Sequence, residues 1–180
     1  VSGMTNDPQH MHDSPAAADM ATDPGPGDAP GDTPGDPSSP EPAAKSRIGV
    51  VIVAHGSLAA ALLAATEHVV GPQTGISAIA IEPTDDLRER QREINAAVEA
   101  VETGAGVILV TDMFGGTPSN LALGAMTRPG IEVIYGANLP LLVKLAKCRR
   151  RPLEEAVHHA LAAGEKYIDS AARMLEPDPS

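Results

Sequence analysis

An α/β fold, a doubly wound and mostly parallel open sheet with helices on both faces, is what the sequence predicts from residue 48 onward. Three observations carry that expectation. Short apolar runs alternate with segments of helical period, the pattern of repeated βαβ units. The runs are apolar at nearly every position rather than every second one, as strands covered on both faces require. The core must also be aliphatic, because 42% of the 180 residues are hydrophobic yet only 2% are aromatic, with Phe114, Tyr135 and Tyr167 and no Trp.

The elements follow in order. Residues 48–54, Ile-Gly-Val-Val-Ile-Val-Ala, form the first strand. Ser57 then stands as an N-cap before a helix whose Leu58, Leu62, Ala65 and Val69 recur at helical spacing, and Gly71-Pro72 ends it. Ile76–Ile81 is the second strand. Thr84 is placed to cap a second helix, with Leu87, Ile94, Val98 and Val101 on one stripe and Arg88, Glu89, Arg92 and Glu93 facing water, and Gly104 closes it. Val107–Thr111 is the third strand. Past a glycine-rich turn, Pro118 suits the first position of a third helix with Thr117 as cap. Ile131–Tyr135 is the fourth strand, a helix runs from Asn138 to about Lys147, and Pro152 opens a last helix with Leu153, Val157, Ala160, Gly164 and Ile168 along one face.

Residues 1–47 read differently. They hold nine of the 17 prolines and eight acidic residues against Lys45 and Arg47, a net of −6 out of −11 for the chain, with almost no apolar side chain larger than Ala. Such a segment cannot bury enough surface to offset chain entropy, so a disordered acidic tail is expected there. The domain then spans residues 48–172, and residues 173–180 form a short C-terminal tail. The acidic balance argues against a nucleic-acid binder. Cys148, the one cysteine, excludes an intramolecular disulfide framework and a multi-cysteine metal site, and points to a reducing compartment. The His10 and His12 pair is too sparse a ligand set for a metal, and no metal or cofactor is expected. With no apolar run near the roughly 20 residues that span a bilayer and no signal-peptide pattern, a cytoplasmic location is expected.

The informative side chains stand at strand ends. In open α/β sheets, ligands bind beyond the carboxyl ends of the strands where the strand order reverses. If the first strand is central, with the second and third on either side, that crevice brings together His55 and Asp112, each the first ionisable residue after its strand. An imidazole held by a carboxylate through one nitrogen leaves the other free as a nucleophile. Residues 114–120, Phe-Gly-Gly-Thr-Pro-Ser-Asn, add Gly115 and Gly116 just before a helix start, where backbone N–H groups and the helix dipole favour an anion, and Thr117 adds a hydroxyl. Each feature alone also fits a plain structural role, the glycines as a tight turn and Asp112 as a cap. Together they suit a phosphoryl acceptor, whose chemistry needs mostly positioning and charge stabilisation.

These residues resemble the IIA domain of the mannose-type sugar phosphotransferase system. The resemblance covers about residues 48–168 and rests on three blocks in order: residues 52–56, Ile-Val-Ala-His-Gly; residues 110–120, Val-Thr-Asp-Met-Phe-Gly-Gly-Thr-Pro-Ser-Asn; and residues 136–142, Gly-Ala-Asn-Leu-Pro-Leu-Leu. It implies that His55 takes a phosphoryl group on Nε2 from the phosphocarrier HPr and passes it to a IIB domain. It implies that Asp112 orients the ring, that Thr117 lies beside the phosphoryl oxygens with Gly115 and Gly116 in the turn, and that Asn138 is structural or at an interface. A homodimer is implied as well. The long N-terminal tail departs from the family pattern, and no IIB domain follows in this chain, so sugar uptake and a regulatory phosphorelay both fit. An alternative is a tetrapyrrole metal chelatase using His55, since Ala54-His-Gly-Ser57 resembles the start of those proteins. That reading needs a second histidine near the first, and His68 and His158 fall on helices. A dinucleotide-binding module lacks its glycine fingerprint after the first strand.

Overall fold

The computed structural model describes residues 46–175. The expectations for most of the acidic tail, for His10 and His12, and for the chain beyond Leu175 fall outside the described residues.

Four strands, β1 (Gly49–His55), β2 (Ile76–Ile81), β3 (Val107–Thr111) and β4 (Ile131–Tyr135), form one sheet in the order β2-β1-β3-β4, every pair parallel. The reversal of order occurs at β1, which pairs Ile52 with Ala78 on one side and with Val110 on the other. The expected sheet is therefore present, and among the described strands it is wholly parallel. Residues 48–54 and 107–110 are all buried, which explains their unbroken apolar character, because helices cover both faces.

The helices are α1 (Leu58–Val70), α2 (Leu87–Val101), α3 (Thr117–Gly124), α4 (Leu139–Cys148), α5 (Leu153–Lys166) and the short α6 (Ala171–Leu175). One face of the sheet packs Val50, Ile52, Ile108 and Val110 against α1, α4 and α5, with Leu141, Leu142 and Leu145 at its centre. The other packs Val51, Val53, Val107 and Leu109 against α2 and α3 through Ile94, Val98 and Leu121. Strand alternation thus feeds two cores at once. The approach of α2 to β1 is close. A Cβ added to Gly49 would lie 2.5 Å from Val101 Cγ2 and 2.6 Å from Val101 O, so only glycine fits there.

Several local expectations are corrected. Helix α1 turns Ala59 and Thr66 inward, with Leu62 and Leu63 packed beside them, while Leu58 and Val69 are exposed. The buried Thr66 hydroxyl is satisfied by donating to Leu62 O at 2.7 Å. Ser57 holds the N-cap position of α1 without a side-chain cap hydrogen bond. Asp86, not Thr84, caps α2, accepting from Arg88 N at 2.8 Å and Glu89 N at 3.3 Å, because Asp85 closes the preceding turn on Glu82 N. Gly116 is the cap of α3 and Thr117 its first residue. Ile168 lies beyond α5 and is exposed, so the buried stripe ends with Gly164. Arg149, though it stands in a run of three arginines, is 4% exposed. Its Nε donates to Ile48 O, Nη1 to Thr74 O and Nη2 to Gly75 O, tying α4 to the starts of β1 and β2. Cys148 is buried and free, as a small packed residue should be.

Candidate active site

The central position of β1 brings His55 and Asp112 together at the carboxyl edge of the sheet. His55 ends β1, and Asp112 is the first residue after β3. Their side chains meet with Nδ1 of His55 2.7 Å from Oδ2 of Asp112. The same carboxylate oxygen accepts from the backbone N–H of His55 at 3.2 Å, and Oδ1 accepts from Met113 N at 2.9 Å. The carboxylate is thus held at three points and can only accept from Nδ1, which fixes the proton on that nitrogen and leaves the Nε2 lone pair free. Burial alone would raise the Asp112 carboxyl, but the hydrogen bonds from the His55 ring and amide and from Met113 outweigh it and hold the group below its ordinary value. It stays ionised at neutral pH. The imidazole is half exposed at 49% and Asp112 is 13% exposed, so the acceptor faces solvent and its orienter does not.

The glycine-rich turn closes on the free nitrogen. A Cβ at Gly116 would stand 3.0 Å from His55 Cε1 and 3.4 Å from Nε2, so a bare backbone lies against the reactive edge of the ring. Gly115 turns the chain at φ 84°, a left-handed conformation that favours glycine. Gly56 does the same at φ 51° between His55 and α1. Helices α1 and α3 both begin within a few residues of His55 and Gly116 in the chain, and helix amino ends favour anions. Thr117 is exposed at the first position of α3. All five residues singled out in the sequence, His55, Asp112, Gly115, Gly116 and Thr117, therefore belong to one edge of the sheet.

Asn138 is not at the imidazole. It caps α4 by accepting from Leu141 N at 3.0 Å, and its Nδ2 donates to Gly136 O at 3.3 Å and Gly164 O at 3.5 Å, so it joins α4 to α5. Among the described residues no group of three or more His, Cys, Asp or Glu side chains could hold a metal ion, His68 and His158 are exposed on α1 and α5, and the partner of His55 is a carboxylate.

Sequence reasoning missed an apolar rim. Phe114 and Tyr135 meet in a tilted arrangement with ring centroids 5.0 Å apart although 63% and 52% exposed, and Met113 is 56% exposed. The available signal was that two of the three aromatic residues follow or end adjacent strands on the edge that carries Asp112. Among the described residues no helix is long and apolar enough to cross a membrane.

Comparison with known proteins places the chain among relatives of one kind. The mannose-specific EIIAB component of the phosphotransferase system (PTS) of Escherichia coli K12 is 32% identical over 124 residues, covering 67% of this chain, which spans 38% of that relative's length. The PTS fructose-specific EIIA component of Bacillus subtilis is 23% identical over 131 residues, covering 72% of this chain and 90% of the relative. The crystal structure of a PTS IIA protein associated with the fucose utilization operon of Streptococcus pneumoniae superposes with a TM-score of 0.63 at 26% identity, covering 72% of this chain and 97% of that one. Residues 49–163 match the EIIA-man family, described as the PTS system fructose IIA component, and the chain belongs to that family, the mannose-type IIA domains of the phosphotransferase system.

Proposed function

We propose that the chain is a histidine phosphocarrier, in which His55 takes a phosphoryl group from the phosphohistidine of HPr and passes it to a IIB domain, for sugar uptake or a regulatory phosphorelay. The observation that carries the reading is the 2.7 Å contact between Asp112 and Nδ1 of His55, with Nε2 left facing the bare backbone of Gly116. The Nε2 lone pair attacks phosphorus as the N–P bond of the donor breaks. A donor ring protonated on its other nitrogen leaves as neutral imidazole. His55 then carries the phosphoryl on Nε2 and a proton on Nδ1, a cationic ring whose charge the ionised Asp112 stabilises. Reversal of the same steps delivers the group to the IIB acceptor.

In this reading the N–H groups of Gly115 and Gly116 and the Thr117 hydroxyl hold the phosphoryl oxygens, and the amino ends of α1 and α3 lower the energy of the dianion. Met113, Phe114 and Tyr135 form an exposed apolar rim against which both partners seat in turn. The IIB assignment draws on the E. coli relative, whose name joins A and B components. We assign the IIA domain to residues 48–172, residues 1–47 and 173–180 to tails outside it, and the protein to the cytoplasm as a homodimer.

The test is to mix the protein with phosphorylated HPr and then with a IIB domain, following the phosphoryl group by 31P NMR. The expected product is an Nε2 phosphohistidine at residue 55 that disappears when IIB is added. Phosphorus on Nδ1, on a hydroxyl, or on another histidine would overturn the assignment.

A further inference from the structure

The opposite edge of the sheet gathers cations. Arg47 precedes β1, Lys147 and Arg150 flank the carboxyl end of α4, and Arg149 reaches back beneath β1 and β2. Two clefts of about 290 and 520 Å³ both have Arg47, Arg149 and Arg150 in their walls. The smaller adds Lys147 and Gln73, and the larger adds Thr103. Among the described residues no Asp or Glu lines either one. Among the described residues none of these four cations forms an ion pair, whereas Arg90, Arg128, Arg151 and Arg173 all do.

Arg149 makes the arrangement costly. A buried guanidinium is ordinarily matched by a carboxylate. Here its partners are three backbone carbonyls, at 2.6, 2.6 and 2.9 Å, which satisfy three of its five N–H groups and bring no net charge. Burial pushes its pKa below the ordinary arginine value, and the like charge of Arg47 pushes it the same way. Helix ends do not cancel the excess. The carboxyl ends of α1, α2 and α4 each contribute roughly half a negative charge, about 1.5 in all against four cations. Among the described residues the four cations exceed the charge these helix ends supply, in a chain of net charge −11.

We propose that this notch binds a small, multiply charged phosphate anion of the diphosphate or triphosphate class, at a site separate from His55. One phosphate carries about 1.5 to 2 negative charges near neutral pH, so two linked phosphates carry about 3 to 4, comparable with the four cations in the walls, where a single carboxylate offsets only one. Arginine forks suit phosphate oxygens in geometry as well as charge. The smaller cleft accommodates the phosphate chain, and the larger, with Val101 and Ala100 among its lining residues, leaves room for an organic group attached to it. The seven residues of β1 separate the notch from the phosphoryl acceptor by about 20 Å.

The test uses the full chain and inorganic tripolyphosphate, titrated calorimetrically at physiological salt, with amide shifts followed by NMR. Saturable one-site binding is expected with Kd below about 1 mM, with shifts at Gly75, Thr103 and Arg150. The exposed pair Arg47→Gln with Arg150→Gln should weaken binding at least tenfold, while melting at the unaltered temperature and accepting phosphoryl at the unaltered rate. Citrate should bind at least tenfold more weakly than tripolyphosphate. Shifts confined to residues 115–117, equal affinity in the double variant, equal affinity for citrate, or an absence of saturation would each overturn the proposal.

Discussion

Replacing Asp112 by Asn keeps the shape of the site and removes its charge, which separates orientation from folding. The backbone N–H groups of His55 and Met113 are accepted by different carboxylate oxygens, Oδ2 at 3.2 Å and Oδ1 at 2.9 Å, so the single amide oxygen can serve only one, and the shorter Met113 bond favours the oxygen on that side. The amide NH2 is then presented to Nδ1, which must accept. The proton moves to Nε2, and the nucleophilic lone pair is lost in the favoured tautomer. A hydrogen bond to a charged group contributes about 1.5–3 kcal/mol, which converts at about 1.4 kcal/mol per tenfold to a reduction of roughly 10- to 100-fold in the reactive tautomer. The half exposure of the ring places the effect toward the lower end. Loss of charge stabilisation on the phosphorylated ring adds a further factor, for a total on the order of 10²–10⁴ in transfer rate. Rapid-quench transfer from phosphorylated HPr measures the rate, and 15N NMR of the ring reads the tautomer. The acid limb of stability should change with it. An Asp whose folded value lies below the unfolded value of about 3.9 stabilises the protein above that pH and loses the contribution as pH falls through the folded value. The variant should therefore show a flatter loss of stability below about pH 4. An unchanged transfer rate with an unchanged tautomer would refute the orienting role.

Gly116 adopts extended backbone that any residue can follow, so Gly116→Ala should fold with a nearly unchanged melting temperature, yet push a methyl to 3.0 Å from the His55 ring. Displacement of the acceptor should slow transfer by up to about 10²-fold, read in the same rapid-quench assay. Gly49→Ala tests the α2–β1 approach, where the added carbon would meet the Val101 backbone as well as its side chain. It should cost about 3 kcal/mol and lower the melting temperature by about 10 °C in calorimetry. Thr111 has a buried hydroxyl with no partner among the described residues, so Thr111→Val should raise stability by about 1 kcal/mol, or about 4 °C, and leave transfer unchanged.

What was legible in the sequence is what a parallel sheet imposes on it. Strands β1 and β3 are buried on both faces and so appear as unbroken apolar runs, and the first ionisable residue after each marks the sheet edge. The pairing of His55 with Asp112 followed once β1 was taken as central. The inward face of α1 was not legible, because Ala, Leu and Val fill most of its positions and several faces qualify as apolar. The cap of α2 reads from the sequence as Thr84, and Asp86 takes it because Asp85 instead closes the turn on Glu82 N. Arg149 stands in a run of three arginines that reads as solvated, and its burial depends on carbonyls of Ile48, Thr74 and Gly75, distant in sequence. Likewise the contact of Phe114 with Tyr135 belongs to the pairing of β3 with β4 and has no local signature.

The most direct measurement of the central claim is the intact mass of the full chain after incubation with phosphoenolpyruvate, enzyme I and HPr, quenched in base and then divided between acidic and basic conditions. The expected result is the mass of one added phosphoryl group, kept in base, lost in acid and absent from His55→Ala. No added mass, an addition that survives acid, or one that persists in His55→Ala would contradict His55 as the phosphoryl acceptor.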